Sequence, residues 1–201
     1  MPRYIFCDII GLIMVNKGAT MHKFESPARV AELNPEATLR KIGLKNGDVF
    51  CDIGAGTGIF TVEAAKITDN TVYAIDTSDD MLRITEDKCK QLGLKNVKTV
   101  HPVGFSYPID DGECDIVFMC TVFHEIDDTT ALLKEISRII DPHGKLIIIE
   151  FYEKETPMGP PITSRMSEAK VMQIVEDTGF VRTSQAGMGE NFYICEFVKN
   201  D

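Results

Sequence analysis

An α/β fold built on a doubly wound, mostly parallel sheet is predicted by three features of the 201-residue sequence. Short apolar runs alternate with segments of helical period, the pattern of successive strand–helix–strand units. The first such run ends in a glycine-rich turn, Asp52-Ile-Gly-Ala-Gly-Thr-Gly58. The last two apolar runs are separated by a turn with no room for a helix, so they are expected to pair antiparallel.

The elements follow in order. Ser26-Pro27 offers an N-cap and a first-turn proline for a short helix to about Leu33. A second helix fits Glu36 to Ile42 and stops at Gly43. Asp48 to Ile53 reads as a buried strand, and the glycine turn leads into a helix from about Gly58 to Ile67. After a strand at Thr71 to Ile75, Ser78, Asp79 and Asp80 cap a helix to Leu92, ended by Gly93. Strands are expected at Val97 to Val100 and Asp115 to Cys120. A helix from about Thr129 to Ile140 then carries apolar residues at Leu132, Leu133, Ile136, Ile139 and Ile140. The turn Asp141-Pro-His-Gly144 enters a strand from Lys145 to Phe151. A polar, proline-bearing loop at Glu153 to Pro161 precedes a helix from Ser167 to Thr178. Strands near Val181 to Gln185 and Phe192 to Val198 close the chain.

Length and a 44% hydrophobic composition suit one domain with one core. We divide the chain into an N-terminal segment, 1–35, able to cover a site, and a single domain, 36–201. Lys plus Arg number 21 against 31 Asp plus Glu, a net charge of -10. Nucleic-acid binding draws on basic side chains and docking on anionic membranes does likewise, so both are disfavoured. The apolar run Tyr4 to Val15 contains Asp8 and falls short of the roughly 18 residues of a membrane span. It also makes a poor signal peptide. With methionines at 1, 14 and 21, residues 1–20 are expected to be an extension or an upstream start. The six cysteines (7, 51, 89, 114, 120 and 195) show no metal-ligand spacing, so a reduced, cytoplasmic setting without metal or disulfides is expected.

Gly54, Gly56 and Gly58 allow a tight turn and close approach of a ligand to the backbone. Ligands of open parallel sheets bind at the carboxyl ends of the strands, near the switch point in strand order. Asp76 ends the second strand 24 residues after Asp52, where a carboxylate can accept from two ribose hydroxyls. A dinucleotide fingerprint begun at Gly54 would need glycine at position 59, which is Ile59. An NAD(P)-dependent oxidoreductase is therefore the weaker reading.

The run Asp52 to Gly58 resembles the first motif of class I S-adenosylmethionine-dependent methyltransferases. Gly93 to Val97, Tyr107 to Asp115 and Leu133 to Lys145 resemble further ordered passages of that family. The likeness spans about Phe24 to Val198. It is similar above all to the small-molecule branch that holds quinone-biosynthesis and arsenite methyltransferases. It implies a Rossmann-like, seven-stranded sheet of order 3-2-1-4-5-7-6 with the last strand antiparallel. It further implies S-adenosylmethionine as cofactor and a small-molecule acceptor methylated by in-line displacement. A cofactor-binding protein without catalysis is a further alternative, and a homodimer is left open.

Carried over residue by residue, Asp52 helps organise the methionine end of the cofactor, with Gly54, Ala55, Gly56 and Gly58 beside it. Asp76 takes the ribose. Thr77 and Met81 lie at the adenine, although a methionine at helical spacing also suits a core. The family's acid after the third strand is replaced by Pro102-Val103-Gly104, leaving backbone at Val103 and Gly104 to meet the base. Backbone at Cys120 lines the methyl end. His124 is a candidate general base, with a packing or capping histidine as the plainer alternative, and Glu125 a candidate to orient it. Phe24 and Arg29 fit the family's covering segment, and Pro160, Pro161 and Arg165 a substrate lid. Asp127-Asp128 reads as a helix cap. No Asn/Asp-Pro-Pro-aromatic signature follows the fourth strand, which argues against methylation of base amino groups. Only Cys120 is placed where an arsenite enzyme would need several thiols.

Overall fold

The computed structural model of the protein describes residues 25–200. Cys7, the run Tyr4 to Val15, the three candidate starts and Phe24 lie outside the described residues, as does most of the 1–35 segment. Two short helices, α1 (Pro27–Leu33) and α2 (Pro35–Lys41), precede the alternating units. These are β1 (Phe50–Ile53), α3 (Ile59–Ile67), β2 (Val72–Ile75), α4 (Asp79–Gln91) and β3 (Val97–Val100). There follow β4 (Cys114–Cys120), α5 (Thr129–Ile139), β5 (Ile140–Phe151), α6 (Glu168–Glu176), β6 (Phe180–Met188) and β7 (Phe192–Lys199). Single helical turns occupy Phe123–Glu125 and Ile162–Ser164.

The sheet has seven strands in the order β3-β2-β1-β4-β5-β7-β6, as the resemblance implied. Strand β7 runs antiparallel to both of its neighbours, and the other pairs are parallel. Caps form at Ser26, Ser78 and Asp128 as expected, and at Ser167 as well: each side chain accepts from the backbone N–H three residues on. Asp128 thus caps α5, and no group of metal-binding side chains occurs among the described residues.

The sheet departs from expectation at Asp141–Gly144. Ile140 pairs with Cys114 and Lys145 with Ile116, so the proline turn is an irregularity within one strand rather than its preface. A Cβ on Gly144 would lie 2.9 Å from the Cys114 carbonyl oxygen, which explains how the bulged strand stays against its partner.

Alternation along the strands sends side chains to two layers. Phe50, Phe118, Ile147 and Ile149 pack toward Leu33, Leu39 and Phe60 of the first three helices. Cys51, Val117, Met119 and Ile148 pack toward Leu132, Ile136 and Val171 on the opposite face. Register then aligns the strand tips: Ile53 lies beside Ile75 and Met119, and Cys120 beside Ile149. The residues just past those positions share one edge of the sheet, where strand order reverses between β1 and β4.

Candidate functional site

That edge is built first from the glycine turn. Gly54, Gly56 and Gly58 all adopt left-handed φ, at +72°, +54° and +79°. Their surroundings differ. A Cβ on Gly54 would overlap the Val122 side chain beyond β4, and one on Gly58 would meet Thr85 Oγ1 of α4 at 2.7 Å. At Gly56 nothing but the Gly54 carbonyl, 4.0 Å away, would be met. Two glycines therefore admit protein side chains, and Gly56 keeps the open face. Ala55 is buried beneath the turn, its N–H donating to the Ile75 carbonyl at 2.9 Å. Ile59, where a dinucleotide fold would place its third glycine, opens α3 and packs against the apolar cluster.

Asp76 stands next to this open face. Its Oδ2 accepts from Gly56 N–H at 2.8 Å and its Oδ1 from Ser78 N–H at 2.8 Å. Each carboxylate oxygen retains acceptor capacity beyond these bonds. Burial pushes the Asp76 carboxyl up and the two backbone donors pull it down, with a net rise. A carboxylate short of solvent in this way favours further donors, such as paired hydroxyls.

Thr77 is exposed and Met81 half-buried at the start of α4. Past β3 the chain turns back on itself, with Ser106 N–H donating to Val103 O at 3.2 Å. Val103 is 83% exposed and Gly104 has φ +63°, an apolar side chain left in solvent beside the same edge. The open turn, the part-buried carboxylate and this apolar flank fit a nucleoside.

Asp52 lies beneath the turn rather than on its surface. It is 3% exposed, faces α3 and accepts from Thr61 Oγ1 at 2.6 Å. Burial raises its carboxyl to about 7 against the Thr61 bond, and the nearby Asp76 charge adds to the rise.

At the tip of β4, Cys120 is half-buried. Burial lifts its thiol to about 12 although the Arg29 charge pulls it down, so it is no ready nucleophile. Thr121 follows with φ +58°, a left-handed conformation costly for a β-branched residue. It accepts from Arg29 Nη2 at 2.9 Å.

His124 sits on the single turn after β4 with its side chain 6% exposed. Its partner is Glu150, fully buried near the end of β5, whose Oε2 lies 2.8 Å from Nδ1. Glu150 Oε1 also accepts the His124 backbone N–H at 3.1 Å. Glu150 thus takes the orienting place expected of Glu125, which stands 3.8 Å from Nε2. Burial lowers the affinity of His124 for a proton. The Glu150 bond and charge, with the Glu125 charge, more than restore it, and the pKa ends above the ordinary histidine value.

Sequence reasoning passed over Glu150. The signal was there: a single acid in Leu146 to Phe151, an otherwise apolar run of a strand buried on both faces, where an unpaired carboxylate would cost several kcal/mol.

The loop after β5 is pinned rather than free. Arg165, 8% exposed, donates to the carbonyls of Tyr152, Lys154, Met158 and Pro160 and to Thr156 Oγ1. Asn191 ties the same loop to α1: its Oδ1 accepts from Met158 N–H at 3.1 Å, and its N–H donates to Glu32 at 2.8 Å. A surface depression of about 650 Å³ lies at the far end of the sheet, near Asn46, Thr68 and Asn96, away from all of these groups.

The chain is similar to known proteins. Residues 51–148 match a family model described as a methyltransferase domain. A demethylmenaquinone methyltransferase of Geobacillus sp. (strain WCH70) is 30% identical over 117 residues, covering 57% of this chain and 50% of the relative. One of Bacillus mycoides (strain KBAB4) is 31% identical over 115 residues, covering 56% and 48%. The chain spans about half the length of these curated relatives. A crystal structure of a SAM-dependent methyltransferase from Aquifex aeolicus superposes with a TM-score of 0.84 at 30% identity. It covers 90% of this chain and 98% of that one. The [4+2]-cyclase SpnF, at 17% identity and TM-score 0.73, shares the fold.

Proposed function

The chain belongs to the class I S-adenosylmethionine-dependent methyltransferases, and we propose that it methylates a small molecule that loses a proton at the methylated atom. The supporting observation is the strand register, which puts the Gly56–Asp76 contact and the His124–Glu150 pair at the ends of β1, β2, β4 and β5. When bound, the cofactor supplies a methyl group already activated on a sulfonium. Alignment and exclusion of water are the main tasks left to the protein.

Asp76 holds the ribose hydroxyls and the open face of Gly56 receives the nucleoside. Thr77, Met81, Val103 and Gly104 flank the base. Asp52 shapes the turn from below through Thr61, and backbone at Cys120 lines the methyl end. His124 takes the acceptor's proton at Nε2, because Nδ1–H is committed to Glu150, whose charge steadies the imidazolium. A small-molecule acceptor is supported by the relatives, named for demethylmenaquinone, and by a net charge of -10 that disfavours nucleic acid.

Calorimetric titration with S-adenosylmethionine and S-adenosylhomocysteine tests the reading. Binding of both, weakened in Asp76→Ala, is expected; no binding of either at millimolar concentration would sink it. Incubation of a metabolite extract with methyl-labelled cofactor should label a small product. Label confined to macromolecules would remove the small-molecule acceptor.

A further inference from the structure

Arg29 carries a charge that no acidic side chain among the described residues answers. It lies on α1, is only 8% exposed, and makes no ion pair with any described residue. Of its five N–H donors, Nη2 reaches Thr121 Oγ1, and Nε is buried with no partner among the described residues. The guanidinium rests on two aromatic faces, 5.5 Å from the Phe151 ring centre and 5.4 Å from that of Phe192. Such contacts offset part of the desolvation of a buried cation but satisfy no N–H group. Its position is that of the site. Thr121 is the strained residue at the tip of β4, and the Arg29 charge is felt at the Cys120 thiol next to it. A buried cation with an empty donor, beside a ligand site in an acidic protein, calls for an anionic ligand.

We infer that Arg29 is an anion receptor, binding through Nε an anionic oxygen of a small molecule held at the β4 tip. The inference rests on the proposed function, which places a ligand at that edge. Two sources share this chemistry: the carboxylate on the amino-acid end of the cofactor and an ionised oxygen on the acceptor.

Calorimetry separates them using S-adenosylhomocysteine, which has the carboxylate, and 5′-methylthioadenosine, which has the same nucleoside and sulfur without it. With a cofactor source, Arg29→Gln weakens S-adenosylhomocysteine by about tenfold or more and leaves 5′-methylthioadenosine unchanged. With an acceptor source, both affinities hold while the concentration of extract giving half-maximal methyl labelling rises by about tenfold or more. Arg29→Lys, which keeps the charge and loses Nε and the fork, should fall between wild type and Arg29→Gln in either case. It also serves if Arg29→Gln fails to fold. Unchanged S-adenosylhomocysteine affinity together with unchanged labelling in both variants overturns the inference. Wild type that binds neither nucleoside overturns the proposed function instead.

Discussion

Glu150 holds His124 at two points, accepting its backbone N–H at 3.1 Å and facing Nδ1 at 2.8 Å. The two residues come from consecutive sheet neighbours, β5 and the turn after β4, and lie 26 positions apart. The backbone bond fixes where the histidine sits, and the Nδ1 bond fixes which nitrogen is left to accept a proton.

A pH dependence follows from this pair. The folded-state pKa of His124 is raised, because Glu150 and Glu125 outweigh burial. The stability contributed by the charged pair is therefore fully present below the ordinary histidine value of about 6.5. It is lost as pH rises through the raised folded value. The acidic limb of the methylation profile should lie at that raised value in wild type and move to lower pH in Glu150→Gln. His124→Gln should cut turnover by about 100-fold or more and leave S-adenosylhomocysteine affinity unchanged. NMR titration of the ring and initial rates across pH check both. A limb unmoved by Glu150→Gln would remove Glu150 from the chemistry.

The three motif glycines should respond differently to alanine. Gly54→Ala drives a methyl group into Val122 and should cost about 2–4 kcal/mol of stability. Val122→Ala in the same chain should recover part of that loss. Gly56→Ala has open space around it and should cost only the left-handed strain of roughly 1–2 kcal/mol. Its cofactor affinity should fall the furthest. Urea unfolding and calorimetry on each variant separate packing from binding.

Asp52 should make the protein less stable as pH rises. Its carboxyl, raised to about 7 in the fold, binds a proton more tightly than in the unfolded chain. Stability is then lost between roughly pH 4 and the folded value. Asp52→Asn retains an oxygen for Thr61 and cannot ionise, so it should gain on wild type between about pH 5 and pH 8. Parallel unfolding curves for the two proteins at both pH values would contradict the assignment.

Arg165 should govern the loop after β5. Arg165→Ala abandons five acceptors around a buried guanidinium and should lose at least about 2 kcal/mol. Trypsin should then cut faster after Lys154. Arg165→Lys should not rescue, since an ammonium cannot reach the same spread of carbonyls.

Much of this protein was legible in its sequence by itself. Element types and order follow from period: strand runs such as Val72–Ile75, helix stripes such as Leu132 to Ile139, and caps at Ser26, Ser78 and Asp128 are local matters. The glycine turn and the acid ending β2 were legible because their spacing along the chain is itself the signal. What tertiary structure alone decided is which distant side chains meet. Strand register brought Glu150 rather than the adjacent Glu125 to His124 Nδ1. Helix packing seated Arg29 on Phe151 and Phe192, and Val122 and Thr85 took the space that Gly54 and Gly58 leave open. Backbone preferences act over a few residues and can be read in a line. Pairing of a buried charge or filling of a missing Cβ depends on contacts across the sheet, which no local pattern encodes.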